Sequence, residues 1–228
     1  MRKVGCIIMA LALCLSLTLP ALAAPKIIYS HATGSKTPRV ALTFDDGPHP
    51  VYTPKILEIL EEYGARATFF VVGSNADAHP ELLKSAVAKG HEIGNHTYNH
   101  DHMAKLSEQE ILDNIEQCSK TIERITGKAP SLFRPPEGVC NNEIKTVCYD
   151  KDLQIVLWSI DTRDWAHTPA AAICKNVRTN VKDGSIILMH DFTGKNSPTP
   201  EALRCIIPML QELGYELVTV SELLQGTK

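Results

Sequence analysis

Five short stretches of the sequence carry side chains that hold metals or move protons. They are Asp45-Asp46, the run His96-Thr97-Tyr98-Asn99-His100, Arg134 beside Pro135-Pro136, Asp161-Thr162-Arg163-Asp164-Trp165, and His190-Asp191. Two imidazoles four residues apart face the same way if the stretch turns helically, and can then share a cation. The same spacing also suits two solvated loop histidines. Asp45 and Asp46 are neighbours, so on an extended strand end they point in different directions. One can ligate a metal while the other faces a bound water. An aspartate with two histidines and an open position has the form of a catalytic zinc site, although Asp-Asp-Gly-Pro also reads as a plain turn. Taken singly, Arg134 reads as a surface arginine, Asp164 as a cap beside a core tryptophan, and His190 as a satisfied histidine at a sheet end. Five such coincidences together are a poor account of loops that elsewhere would carry Lys, Glu, Ser and Asn in no special order.

What unites the five is their place behind strand candidates. Val40–Phe44 is an apolar β-forming run ending at Asp45. A helix is expected over Pro54–Tyr63, a strand over Ala67–Val72, a helix over Pro80–Lys89 and a short strand over Glu92–Gly94. Ser107 stands three residues before Glu110, a capping box, and Ile111, Leu112, Ile115, Cys118, Ile122 and Ile125 recur at helical spacing up to Gly127. Ser131–Arg134 leads into the prolines. A helix over Asn142–Lys151 precedes a β-rich stretch, Gln154–Ile160. A helix over Pro169–Val181, a strand over Ser185–Met189, a helix over Pro200–Leu213 and a last strand over Tyr215–Val220 complete the pattern. About seven strand–helix units without linker or repeat imply a mostly parallel sheet. A standard eight-fold barrel needs about 250 residues, so an open doubly wound sheet or an irregular, incomplete barrel fits better. In either, chemistry gathers at the C-terminal strand ends. The histidines His31, His49, His79, His91, His102 and His167 fall outside this pattern and are expected to have solvent or hydrogen-bonding roles. Tyr63, Phe69, Phe70 and Trp158 are expected in the core.

The 228 residues carry a formal charge of −3 and no long basic run, which gives electrostatic wrapping of nucleic acid no support. Residues 1–23 are a separate object. Arg2 and Lys3 precede the apolar run Val4–Leu19, and Ala21 and Ala23 form a small-x-small site, the layout of a secretory signal peptide. An uncleaved anchor is the alternative, but the run is short of the roughly 20 residues of a membrane span. Cleavage leaves a single domain over 24–228 with no membrane span and a net charge of −5. It also leaves five cysteines, Cys118, Cys140, Cys148, Cys174 and Cys205, which allow at most two internal disulfides.

In order and spacing the motifs Thr43–Pro48, His96–His100, Arg134–Pro136, Asp161–Trp165 and Leu188–His190 resemble those of the polysaccharide deacetylases, the NodB-homology domain of carbohydrate esterase family 4. The resemblance runs over roughly residues 37–225. It implies a distorted or incomplete (β/α) barrel of seven to eight strands and a secreted or cell-envelope hydrolase. The reaction implied is removal of N-acetyl groups from amino sugars of peptidoglycan or a chitin-type glycan. It further implies one divalent metal ion, with zinc the expected element, held by Asp46, His96 and His100. Asp45 would be the base acting on a metal-activated water, with Arg134 as its partner. His190 would be the acid that protonates the leaving amine, positioned by Asp164. Trp165 and Leu188 would wall the acetyl pocket, with Pro136 and Glu137 also at the substrate. Many family members carry an aromatic residue where this chain has Glu137. The backbone N–H expected to face the oxyanion survives that change, the stacking face does not, and altered sugar-subsite preference is expected. An O-acetyl esterase, or a glycan-binding protein without turnover, are the alternatives. No protein partner is indicated.

Overall fold

The computed structural model describes residues 26–225, so the leader expected over 1–23 lies outside the described residues. Eight strands alternate with helices. In chain order these are β1 Arg39–Asp45, α1 Tyr52–Glu62, β2 Ala67–Val71, α2 Gly73–Ala78, α3 Pro80–Ala88, β3 Glu92–Asn95, α4 Glu108–Thr126, β4 Leu132–Phe133, α5 Asn142–Asp150, β5 Gln154–Ile155, β6 Ile160–Asp161, α6 Ala170–Asn180, β7 Ser185–His190, α7 Thr199–Glu212, β8 Glu216–Leu217 and α8 Val220–Leu224. All strand pairs are parallel, in the order β5-β4-β3-β2-β1-β7-β6, with β8 beside Arg39 and Val40 of β1. The path does not close on itself. The N-terminal segment lies across the gap instead, with Ile28 bridging Val156 and Ser30 bridging Ser185. This is the distorted, incomplete barrel that the sequence implied.

The two sides of β1 follow from strand periodicity. Val40, Leu42 and Phe44 belong to the larger core beneath the helices, where Ile56, Leu57, Ile59 and Leu60 of α1 pack with Leu203, Ile206, Ile207 and Leu210 of α7. Ala41, Phe70, Leu132, Val156, Ile186 and Val218 fill the inside of the curl. Thr43 and Asp45 share the inner side with Ala41, and both meet a buried arginine there. The longest helix, α4, begins at Ser107 with the expected capping box and ends at Gly127, whose φ of 76° is the left-handed cap that glycine adopts without penalty.

Several boundaries depart from expectation. The β-rich stretch Gln154–Ile160 is two short strands, because residues 156–159 leave the ladder to pass the N-terminal segment and Leu157 N–H donates to Ile28 O. The last strand is only Glu216–Leu217, since Thr219 caps α8 with a second capping box. Helix α2 was not expected at all, for it buries only Gly73 and Ala76 and has no apolar stripe. Of the five cysteines, Cys174 and Cys205 form a disulfide joining α6 to α7, while Cys118, Cys140 and Cys148 are free thiols. Among the described residues no helix is long and apolar enough to cross a membrane.

Candidate active site

Register brings the chemistry to one end of the sheet. Asp45 is level with Phe70 of β2 and with His190 of β7, and Asp161 of β6 is level with Leu188. His96 and Arg134 each stand one residue past paired positions, Asn95 and Phe133. Asp45, Asp46, His96, His100, Glu137, Trp158, Asp161, Trp165, Leu188 and His190 line a cavity of about 510 Å³ at this end.

Asp46, His96 and His100 offer one ligand atom each within 4.8 Å of one another, the group of this kind found among the described residues. Asp46 Oδ1 lies 3.4 Å from His96 Nε2 and 3.1 Å from His100 Nε2. That oxygen is buried and has no hydrogen bond of adequate geometry, an arrangement that suits a cation better than a proton. His96 Nδ1 is 2.6 Å from the Arg134 carbonyl, which can only accept. Its proton is therefore on Nδ1, and Nε2 keeps its lone pair for a metal. Burial opposes ionisation of Asp46, but the facing His100 and His96 rings outweigh it and hold the carboxyl far below its ordinary range. The residues fit a divalent ion. They do not meet by a helical turn, as their spacing first suggests. Thr97 (φ 68°) and His100 (φ 59°) are left-handed, and the loop folds the two rings to 5.1 Å centroid separation.

Asp45 is separated from its neighbour by the same device, since Asp46 has φ 77°. Its Oδ1 accepts from Arg134 Nη1 at 2.7 Å, while Oδ2 faces the ligand group, 3.9 Å from His96 Nε2. Arg134 is fully buried, so the surface position that it would have as an isolated arginine is excluded. Its guanidinium donates also to Thr43 Oγ1, Val156 O and Leu157 O, and lies 4.1 Å from the Phe70 ring centroid. Burial works against its charge, and the Asp45 carboxylate supports it. A guanidinium bound at three nitrogens is a fixed anchor for one carboxylate oxygen.

Asp164, just past β6, is wholly buried and accepts four hydrogen bonds. They come from His190 Nδ1 (2.8 Å), His190 N–H (2.8 Å), Thr199 Oγ1 (2.7 Å) and Trp165 N–H (2.9 Å). Burial lowers the His190 pKa, but the Asp164 carboxylate more than reverses this and, with Asp45 and Asp46, raises it to about 9. His190 is thus held protonated, with Nε2–H left for a substrate.

Trp165 and Leu188 line the cavity. Pro136 is buried and opens the turn that presents Glu137 instead of facing the cavity itself. Glu137 has φ 58°, and its Oε2 lies 3.1 Å from His102 Nδ1 at the rim. Sequence reasoning gave four contributors no part in the site, although Asp191 stands in one of the five stretches and Phe70 lies in the core as expected. Trp158, assigned to the core, is a cavity wall. Phe70, also assigned to the core, is buried but serves as the floor beneath Arg134. Thr199 steadies Asp164 from α7 and carries no local signal. Asp191 is buried and accepts from Thr53 Oγ1 at 2.5 Å, and burial pushes its pKa up to about 7. A Cβ on Gly47 would come within 2.0 Å of the Asp191 carboxylate, so the turn after Asp46 packs on Asp191 at a distance only glycine permits.

Comparison with known proteins bears on the family and the fold. The family model described as polysaccharide deacetylase matches residues 32–156. A peptidoglycan-N-acetylglucosamine deacetylase of Bacillus cereus is 43% identical over 188 residues, spanning 82% of this chain and 88% of that protein. A chitooligosaccharide deacetylase of Sinorhizobium fredii is 34% identical over 194 residues, spanning 80% and 90% respectively. Among solved structures, a peptidoglycan N-acetylglucosamine deacetylase bound to a hydroxamate-type benzamide superposes with a TM-score of 0.84. It is 37% identical, over 89% of this chain and 94% of that one.

Proposed function

The chain belongs to the polysaccharide deacetylase family, and on that premise we propose that it removes N-acetyl groups from the amino sugars of an extracytoplasmic glycan. Peptidoglycan is the substrate proposed first and a chitin-type oligosaccharide second, following the relatives' substrates. The observation that carries the reading is the placing of two proton-transfer devices, each anchored by a buried partner, in the cavity that also contains the ligand group. Asp45 is anchored by Arg134, and His190 is anchored by Asp164.

In this reading Asp46, His96 and His100 would hold one divalent ion, proposed as zinc, which when bound supplies Lewis-acid polarisation of an amide oxygen and acidifies water. Asp45 Oδ2, whose partner oxygen is tied to Arg134, takes the proton of the attacking water. His190 Nε2–H is poised to protonate the leaving amine, which otherwise could not depart. The main-chain N–H of Glu137, held at a left-handed residue on the rim, is proposed to donate to the developing oxyanion. Trp165 and Leu188 shape the apolar space for the acetyl methyl. Secretion through residues 1–23 completes the proposal, since peptidoglycan lies outside the cytoplasm.

Replacing His190 with Ala should lower the rate of acetate release about a hundred- to ten-thousandfold, the usual worth of a positioned acid. Asp45→Asn should do likewise, but it also strips a fully buried arginine of its counter-charge, so its thermal midpoint should fall too. Turnover of either variant within a few-fold of wild type removes that residue from the mechanism.

A further inference from the structure

A row of three rings lies outside the catalytic cavity, beside its β1–β7 edge. His49 stacks on Tyr52 at 5.1 Å (28° between planes) and on Phe192 at 4.8 Å (13°). His49 is three residues past the ligand Asp46, and Phe192 is two residues past the acid His190. Consecutive Cα atoms are about 3.8 Å apart, so the Phe192 backbone is within about 8 Å of His190. The row therefore lies close to the cavity's His190 without itself lining the cavity.

The row is built rather than incidental. The His49 Nδ1 accepts from the N–H groups of Val51 (3.2 Å) and Tyr52 (3.3 Å), and its main chain bonds to Thr53. The ring cannot rotate without losing both contacts. Burial lowers the His49 pKa, in keeping with an Nδ1 that accepts two hydrogen bonds. Tyr52 accepts at its hydroxyl from Ser197 N–H (3.2 Å), which ties the loop carrying Phe192 back to α1. Phe192 has one face on His49 and is nevertheless 43% exposed, so its other face is open to solvent. A single exposed apolar side chain is ordinary on a protein surface. An exposed aromatic face backed by two fixed rings at the edge of a glycan-cleaving cavity is a different object. It costs no ordering on binding, and it matches the flat array of C–H groups on one side of a pyranose ring.

We propose that Phe192, backed by His49 and Tyr52, is a sugar-stacking subsite for a residue of the glycan chain beyond the one being deacetylated. The proposal rests on the glycan reading above. It makes the enzyme sensitive to chain length, with short oligomers occupying the cavity alone and longer ones the platform as well.

The test compares wild type, Phe192→Ala and Phe192→Trp on the dimer and the hexamer of N-acetylglucosamine. Phe192→Ala should raise KM for the hexamer about three- to tenfold, the size of one aromatic contact. Its kcat for the hexamer and its kinetics on the dimer should stay at the wild-type level, and Phe192→Trp should restore hexamer KM. An unchanged hexamer KM in Phe192→Ala overturns the proposal. So does an equal loss on dimer and hexamer, which would mean that the substitution acts through His190. Hexamer binding to His190→Ala, measured by calorimetry with and without Phe192→Ala, separates the two readings. Weaker binding caused by Phe192→Ala supports the platform even if no acetate is ever released. Acetate release with Phe192-independent binding refutes the platform and leaves the deacetylase reading standing.

Discussion

Asp45 and Asp46 are adjacent, chemically identical, and set to different tasks by one dihedral angle. The left-handed Asp46 turns its carboxyl to His96 and His100, while the extended Asp45 keeps its own on Arg134. His190 shows the same logic in its titration. Its pKa stands near 9 because Asp164 outweighs the cost of burial, so the protonated form is present below about pH 9 and lost above it. The rate of acetate release should accordingly fall as pH rises through about 9. Asp164→Asn removes the largest raising influence and leaves those of Asp45 and Asp46, so the alkaline limb should move down in the direction of the ordinary imidazole value of about 6.5. A limb that stays in place would show that it belongs to another group. Glu137 is a residue-scale prediction of another sort. Glu137→Tyr should change the ratio of rates on chitin oligomers and peptidoglycan while leaving metal content alone; identical substrate profiles would remove Glu137 from specificity.

At the scale of elements, the turn after β1 is the weakest place to alter. Gly47 packs on Asp191, which is itself held by Thr53 at the start of α1, so β1, α1 and the end of β7 meet at one point. Gly47→Ala should cost about 1–3 kcal/mol in chemical denaturation through overpacking, and it should weaken metal retention because Asp46 precedes the displaced residue. Wild-type stability and metal content together would refute the strain. Strong elements were legible in the sequence for physical reasons. Helix α4 announced itself by an apolar stripe and two caps, and β1 by a largely apolar run interrupted only by Thr43 between Val40 and Phe44. Helix α2 and the split of β5 from β6 were not legible, because the first buries almost nothing and the second is imposed by Ile28, more than 120 residues away in the chain.

For the whole molecule, the parallel order of the strands is what makes a site out of scattered motifs. The proposed ligands, base and acid, with Arg134, stand at or just past the ends of β1, β3, β4 and β7, and the common direction of those strands puts these ends on one face. That much followed from the alternation of strands and helices. The second tier of the site did not. Thr199, Asp191 and Trp158 act through distances between elements that no local pattern encodes, and Cys174–Cys205 is one of several pairings that five cysteines permit. The function of the molecule depends on whether the ligand group and the two anchored proton carriers form one hydrolytic centre. The most direct test is acetate release from N-acetylglucosamine oligomers and from peptidoglycan, by protein lacking residues 1–23, with zinc added and with a chelator. Acetate that disappears with the chelator and returns with metal is the predicted result. Protein that binds one metal ion per chain yet releases no acetate from either glycan would contradict it.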